Sequence, residues 1–227
     1  MLLELKRLIV PPGDRLLLND VTWDEFEQIL EELGDRRSSR IAYHQGVLEL
    51  MTPLPEHESA KEIISDLVKA LLEELDQEFW ALGSTTFKSK RMMEGIEPDQ
   101  CFYIQNEARV RELVRIDLNV DPPPDLAIEI DVTSRTHPEV YAQLGVPELW
   151  RFEKGALKIY GLHNGAYQVV EQSIIFPGFS LVKAIPQYLK QSKLDGRNRT
   201  LKAFRLWVRD QITTIKGGHD LPSTKQP

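Results

Sequence analysis

The sequence predicts an α/β (α+β) fold, with a mixed central β-sheet flanked by helices and an extra helix at the C-terminus. Three observations carry that prediction. Ile63, Ile64, Leu67, Val68, Leu71, Leu72 and Leu75 form one apolar stripe at helical spacing, which marks a helix over about 56–76. Short β-type runs follow it, the most apolar being 126–132, behind Pro122-Pro123-Pro124-Asp125, an entry that cannot be helical. A second stripe, Leu201, Phe204, Val208 and Ile212, places a last helix over about 197–212.

The other elements follow in chain order. Thr22 with Glu25 three residues later reads as a capping box, opening a helix carried by Phe26, Ile29, Leu30 and Leu33 and ended by Gly34. Residues 40–51 read as a hairpin turned near Gln45-Gly46 and closed by Pro53 and Pro55. Beyond the long helix, strands are expected at 79–88 and 99–105, ahead of the run at 126–132. A short helix at about 138–144 leads through Gly145-Val146-Pro147 into a strand at 148–152. Two further strands, 157–162 and 166–171, make a hairpin turned at His163-Asn164-Gly165. A Gly/Pro/Ser/Lys tail is expected to be disordered. The chain divides into an N-terminal extension and helix (1–39), a main domain (40–190) and a basic C-terminal helix with tail (191–227).

Composition narrows the class. The chain has 227 residues, 41% of them hydrophobic, and a formal net charge of −7, which fits a water-exposed globular protein. One cysteine, Cys101, excludes an internal disulfide framework and a Cys-rich zinc site. No apolar run approaches the roughly 20 residues that cross a bilayer, and no signal peptide is evident, so the expected compartment is the cytoplasm and no membrane partner is expected. The charge is uneven. Residues 183–227 hold 10 Lys+Arg against 3 Asp+Glu, and residues 1–182 hold 18 against 32. An acidic body disfavours non-specific nucleic-acid binding, while the basic end offers a local cationic surface.

The acids fall where they need explaining. Glu129 and Asp131 share one face of an otherwise apolar strand with Ala127, and buried acids need partners. Asp99 stands at the mouth of another strand in Gly95-Ile96-Glu97-Pro98-Asp99, and Glu58 lies in the first turn of the long helix. Carboxylates from a helix and two strands can hold Mg²⁺ (or Mn²⁺), which activates water for phosphate hydrolysis. Each acid also has a plainer role: Asp99 as a turn residue, Asp131 as the partner of a local arginine or a turn cap, Glu58 as a first-turn charge. His57 and His137 could serve as ligands or bases, although isolated histidines are more often surface or hydrogen-bonding groups. Cys101 reads as a small apolar strand residue.

These blocks, in order, resemble a known family. They are Tyr43…Gly46…Leu48-Glu49…Met51…Pro53…Glu56-His57-Glu58, then 95–99 with Phe102-Tyr103-Ile104, then 124–134, then Leu144-Gly145-Val146-Pro147-Glu148-Leu149-Trp150-Arg151. The combination is similar to the Uma-type restriction endonucleases, a family common in cyanobacteria and part of the PD-(D/E)xK nuclease superfamily, over about residues 40–190. The resemblance implies a restriction-endonuclease-like core, a divalent metal, and DNA as substrate, with a homodimer by analogy to nucleases that cut two strands. It places Asp99 and Glu129 as metal-holding acids and Glu58, with Glu56 as fallback, as the acid of the first core helix.

The superfamily's lysine, expected two residues after the glutamate, is Asp131 here, and no lysine occurs between Lys90 and Lys154. Such a lysine would stabilise an anionic transition state. Lys88 and Lys90, on the strand leading towards Asp99, are the nearest substitutes in sequence, or else solvated edge-strand charges. Lys202, Arg205 and Arg209 lie on one side of the last helix and could meet backbone phosphates. The expected function is therefore a metal-dependent endodeoxyribonuclease. The alternative is a catalytically inactive nuclease-fold module that binds DNA or protein.

Overall fold

The computed structural model describes residues 8–34, 39–83, 85–90, 93–131 and 138–219, with side chains to 216. The chain runs β1 (Arg15–Leu18), α1 (Trp23–Leu33), β2 (Arg40–His44), β3 (Val47–Met51), α2 (Pro55–Glu74), β4 (Trp80–Leu82), β5 (Phe87–Ser89), β6 (Glu94–Ile96), β7 (Gln100–Tyr103), α3 (Glu107–Val110), β8 (Leu126–Asp131), α4 (Pro138–Leu144), β9 (Glu148–Glu153), β10 (Ala156–His163), β11 (Ala166–Val170), α5 (Leu181–Asp195) and α6 (Arg197–His219).

Among the described residues two sheets form. The larger, in the order β11-β10-β9-β8-β7-β4, is mixed: β8 and β9 pair in parallel, with Glu129 opposite Arg151, and the other neighbours are antiparallel. The smaller, β1-β3-β2-β6-β5, is wholly antiparallel. The expected strand at 79–88 is two strands, β4 and β5, one in each sheet. The hairpin at 40–51 forms as β2 and β3, and its turn places both Gln45 and Gly46 at positive φ, the backbone that two-residue hairpin turns demand.

The capping box at Thr22 is present: the Glu25 N–H donates to Thr22 Oγ1 (3.3 Å) and the Thr22 N–H to Glu25 Oε2 (2.8 Å). Helix α1 lays Trp23 and Phe26 against the smaller sheet, with Phe26 stacked on Tyr43 at 4.6 Å. Gly95 on β6 has no room for a side chain there, since a Cβ would stand 2.7 Å from the Phe26 ring.

Strand β8 is buried on both faces, as a central strand should be. Ile128 and Ile130 join Leu67, Leu71, Phe102 and Trp150 beneath α2, α5 and α6, while Ala127 joins Cys101, Tyr103, Leu149 and Tyr141 on the side of α4. Glu129 shares that second face by strand alternation. Helix α6 contributes Phe204 and Val208, both fully buried, to the main core. Burying each is worth about 1.5–3 kcal/mol. Helix α6 therefore packs into the same core as the sheet, and it runs on to His219, beyond its expected end. Helix α5, also unanticipated, spans residue 190, where the main domain was expected to end.

Candidate active site

Asp99 lies directly before β7 and is 1% exposed. Its Oδ2 accepts from the Ile130 N–H of β8 (2.7 Å) and lies 3.0 Å from His57 Nε2, while Oδ1 is ion-paired with Arg40 Nη1. His57, in the first turn of α2, is fully buried, and its Nδ1 is 3.3 Å from Glu58 Oε1. Arg40, the first residue of β2, reaches the same Glu58 oxygen through Nη2 at 3.3 Å. Lys61, one turn further along α2, pairs with Glu58 Oε2. Arg40 and His57 thus bridge Asp99 to Glu58.

The electrostatics of this cluster are uneven. Burial raises the Asp99 carboxyl, but His57, Arg40 and the Ile130 N–H outweigh it and hold the group ionised below its usual range. Burial also raises Glu58, and Lys61, Arg40 and His57 together bring it below its ordinary value. Glu129 goes the other way: burial first, then the charge of Asp99, push its carboxyl well above the ordinary value. Among the described residues Glu129 makes no ion pair, and it accepts one hydrogen bond, from the Tyr141 hydroxyl on α4. Two neighbouring acids driven apart in this way are a recurrent sign of divided roles.

Asp131 receives Arg151 through Nε (2.8 Å) and Nη2 (2.7 Å), so the acid two residues after Glu129 is itself held by an arginine from β9. The GVPELW block does architectural work. Glu148, fully buried, accepts from the Trp150 indole N–H (2.5 Å), the Ser173 hydroxyl (2.7 Å) and the Ile174 N–H (2.6 Å), which ties the start of β9 to the segment after β11. Cys101 is buried, donates to the Leu82 carbonyl at 3.0 Å, and has its thiol pushed up by burial, as befits an inert strand residue.

Residues 23–187 match the family Uma2, described as "Putative restriction endonuclease". The chain belongs to that family. It is also similar in structure to a crystallised "putative nuclease belonging to DUF820" from Anabaena variabilis, at a TM-score of 0.51 and 17% identity, over 74% of this chain and 99% of the other. The fold is restriction-endonuclease-like. No curated protein matches the chain.

Within this Uma2 fold, the predicted site residues separate into two groups. Glu58 and Asp99 are drawn together by shared partners, and Glu129 feels the charges of both Asp99 and Asp131. Lys88 and Lys90 are not brought there: Lys88 pairs with Glu27 (2.7 Å) and Lys90 with Asp24 (3.1 Å), both on α1. The alternation of β5 explains this, because Phe87 and Ser89 point inward and Lys88 outward. Arg205 pairs with Glu73 and Glu74, and Arg209 with Glu74, so two of the three expected phosphate contacts on α6 instead tie that helix to α2. Lys202 is exposed. His137 lies outside the described residues.

Arg40, Lys61 and Tyr141 were not anticipated as site residues. Arg40 and Tyr141 reach the acids only through tertiary packing, but Lys61 stands three residues after Glu58, a spacing that pairs charges on any helix. Among the described residues no group of three or more His, Cys, Asp or Glu side chains is placed to hold a metal ion.

Proposed function

We propose that the chain is a cytoplasmic, metal-dependent endonuclease that hydrolyses DNA phosphodiester bonds. The observation that carries this reading is the neighbouring pair of carboxyls, buried Asp99 before β7 and half-buried Glu129 on β8, of which Glu129 makes no ion pair among the described residues. Family membership and the restriction-endonuclease-like fold support it.

The donor set fits Mg²⁺ (or Mn²⁺), which is commonly held by one or two carboxylates, with waters and substrate oxygens completing the shell. Asp99 and Glu129 would hold such an ion, which would supply an activated water and offset charge on the phosphate. Tyr141 orients Glu129 by donating to it. The missing lysine is replaced by Lys61, delivered on α2 beside Glu58, rather than by Lys88 or Lys90. Glu58 and Asp131, engaged by Lys61 and Arg151, position those cations instead of binding metal.

The test is cleavage of plasmid and short duplex DNA with Mg²⁺ or Mn²⁺, against EDTA. Asp99→Asn and Glu129→Gln should each lower the rate by about 10²-fold or more, the scale of losing one transition-state electrostatic contact. Full activity in either variant would overturn the assignment. One observation favours a second reading, an inactive nuclease-fold module that binds DNA or protein: Arg40 occupies Asp99 and Glu58 together, as a bound cation would. That reading predicts no cleavage and no shift in unfolding temperature with Mn²⁺. A homodimer, which would let two sites address two strands, is testable by sedimentation.

A further inference from the structure

A cavity of about 650 Å³ lies among the first turns of α2, the ends of β8 and β9, and α5. Its walls include Glu56 and Ala60 from the first turns of α2, Asp131 from the end of β8, the β9–β10 turn at Lys154 and Gly155, and one side of α5. Asp131 ties the cavity to β8, two residues beyond Glu129 in the chain.

The lining has two chemistries. Phe152, Pro186 and Leu189 supply an apolar wall, and Lys154, Lys190 and Lys193 supply cations. Of the two acids in the lining, Asp131 is held by Arg151, and Glu56 makes an exposed pair with Lys193 at 3.0 Å that a phosphate can replace. Lys190 is exposed and makes no ion pair among the described residues. Three lysines around one concavity stand out in a chain of net charge −7. The volume lies within the roughly 300–1,000 Å³ of small-ligand sites, enough for a nucleotide with its neighbouring phosphates. A groove that combines backbone-tracking cations with an aromatic face is the arrangement that binds single-stranded nucleic acid.

We propose that this cavity is the nucleic-acid strand subsite of the protein: Lys154, Lys190 and Lys193 track the backbone phosphates of an unpaired strand while one base rests on Phe152. The proposal rests on the endonuclease reading and deepens it, since it moves the phosphate contacts from α6 to the groove between α5 and the β9–β10 turn. It also gives the site a preference for single-stranded or frayed DNA over intact duplex.

The experiment measures binding of a fluorescein-labelled dT20 oligonucleotide and of a matched duplex by anisotropy, in EDTA, across a salt series. The proteins are the full-length wild type, Lys154→Gln/Lys190→Gln/Lys193→Gln, Phe152→Leu, and the control Lys69→Gln/Arg199→Gln/Lys216→Gln, which removes the same charge elsewhere. The cavity variant should bind dT20 at least tenfold more weakly. Its log–log salt slope should be shallower by about 2, the value for three phosphates at roughly 0.7 each on a single strand. Phe152→Leu should weaken binding at least fivefold without changing the salt slope, and the control should match wild type. Equal losses in the cavity and control variants, or none in the cavity variant, would overturn the subsite. If wild type still cleaves DNA in that event, with KM unmoved by the cavity substitutions, the endonuclease reading stands alone. A wild-type protein that neither binds nor cleaves DNA overturns both.

Discussion

The Arg40 guanidinium joins Asp99 to Glu58, pairing with Asp99 through Nη1 and reaching Glu58 through Nη2 at 3.3 Å. This contact links three parts of the chain: the start of β2, the entry to β7 and the first turn of α2. It stabilises the buried Asp99 charge and holds two carboxylates with one guanidinium.

Removing Arg40 should therefore expose a dependence on metal. Arg40→Gln leaves a buried carboxylate short of its cation, a loss of about 3–5 kcal/mol for a broken buried pair. Thermal unfolding in EDTA should show that loss, and millimolar Mn²⁺ should recover a clear part of it while shifting wild type less. A variant that is destabilised and unmoved by Mn²⁺ would show that metal does not bind at Asp99.

Glu129 predicts a pH signature. Its folded-state carboxyl is raised by burial and by Asp99, so the folded protein holds more protons than the unfolded chain between the ordinary glutamate value and the raised one. Its contribution to stability is then full below that window and falls as pH rises through it. Asp99 is lowered, and its contribution is lost only as pH falls through its folded value. Urea unfolding across about pH 4 to 8, a range that opens just below the ordinary glutamate value, should show Glu129→Gln losing the decline and exceeding wild type at the upper end. An unchanged profile would mean that Glu129 is not held in this way.

Lys61 and Lys88 are a matched pair for locating the working cation. Lys61 is buried against Glu58, whereas Lys88 makes an exposed pair with Glu27. Lys61→Met should lower cleavage by about 10²-fold with binding of dT20 retained. Lys88→Met should leave the rate within twofold and cost at most about 1 kcal/mol, as exposed ion pairs do. The reverse pattern would return the role to β5.

The elements most legible in the sequence were those with a local signal. The Thr22–Glu25 box, the α2 stripe and the Gln45-Gly46 turn each specify their geometry within a few residues, and each formed. Helix α5 escaped because Pro186 interrupts a stripe that Leu181, Ala184, Ile185, Tyr188 and Leu189 otherwise make. The run at 79–88 reads as one strand because β propensity does not reveal which sheet each end joins. At the site, Asp99 and Glu129 were legible as acids without local partners. The groups that answer them were not: Arg40 lies 59 residues from Asp99, and nothing local links them. The burial of His57 likewise follows from the packing of α2 on β7 and β8.

The basic C-terminal helix yields a prediction opposite to the one its sequence invites. Arg205 and Arg209 form the charge stripe expected to meet phosphate, yet Arg205 reaches both Glu73 and Glu74 and Arg209 makes two contacts to Glu74 (2.6 and 3.0 Å). Each arginine is held above its ordinary value first by its hydrogen-bonded glutamate, so the charge is spent within the fold. The stripe works with Phe204 and Val208 beneath it to fasten α6 onto α2. Arg205→Gln should thus lower stability by about 0.5 kcal/mol, within the range for partly exposed pairs, and Phe204→Ala by about 3–5 kcal/mol. Both should leave the salt dependence of DNA binding unchanged at temperatures where the protein is folded. If Arg205→Gln instead made that slope shallower by nearly one phosphate contact with no change in unfolding temperature, α6 would be a DNA-binding face and its pairs with α2 would open on binding.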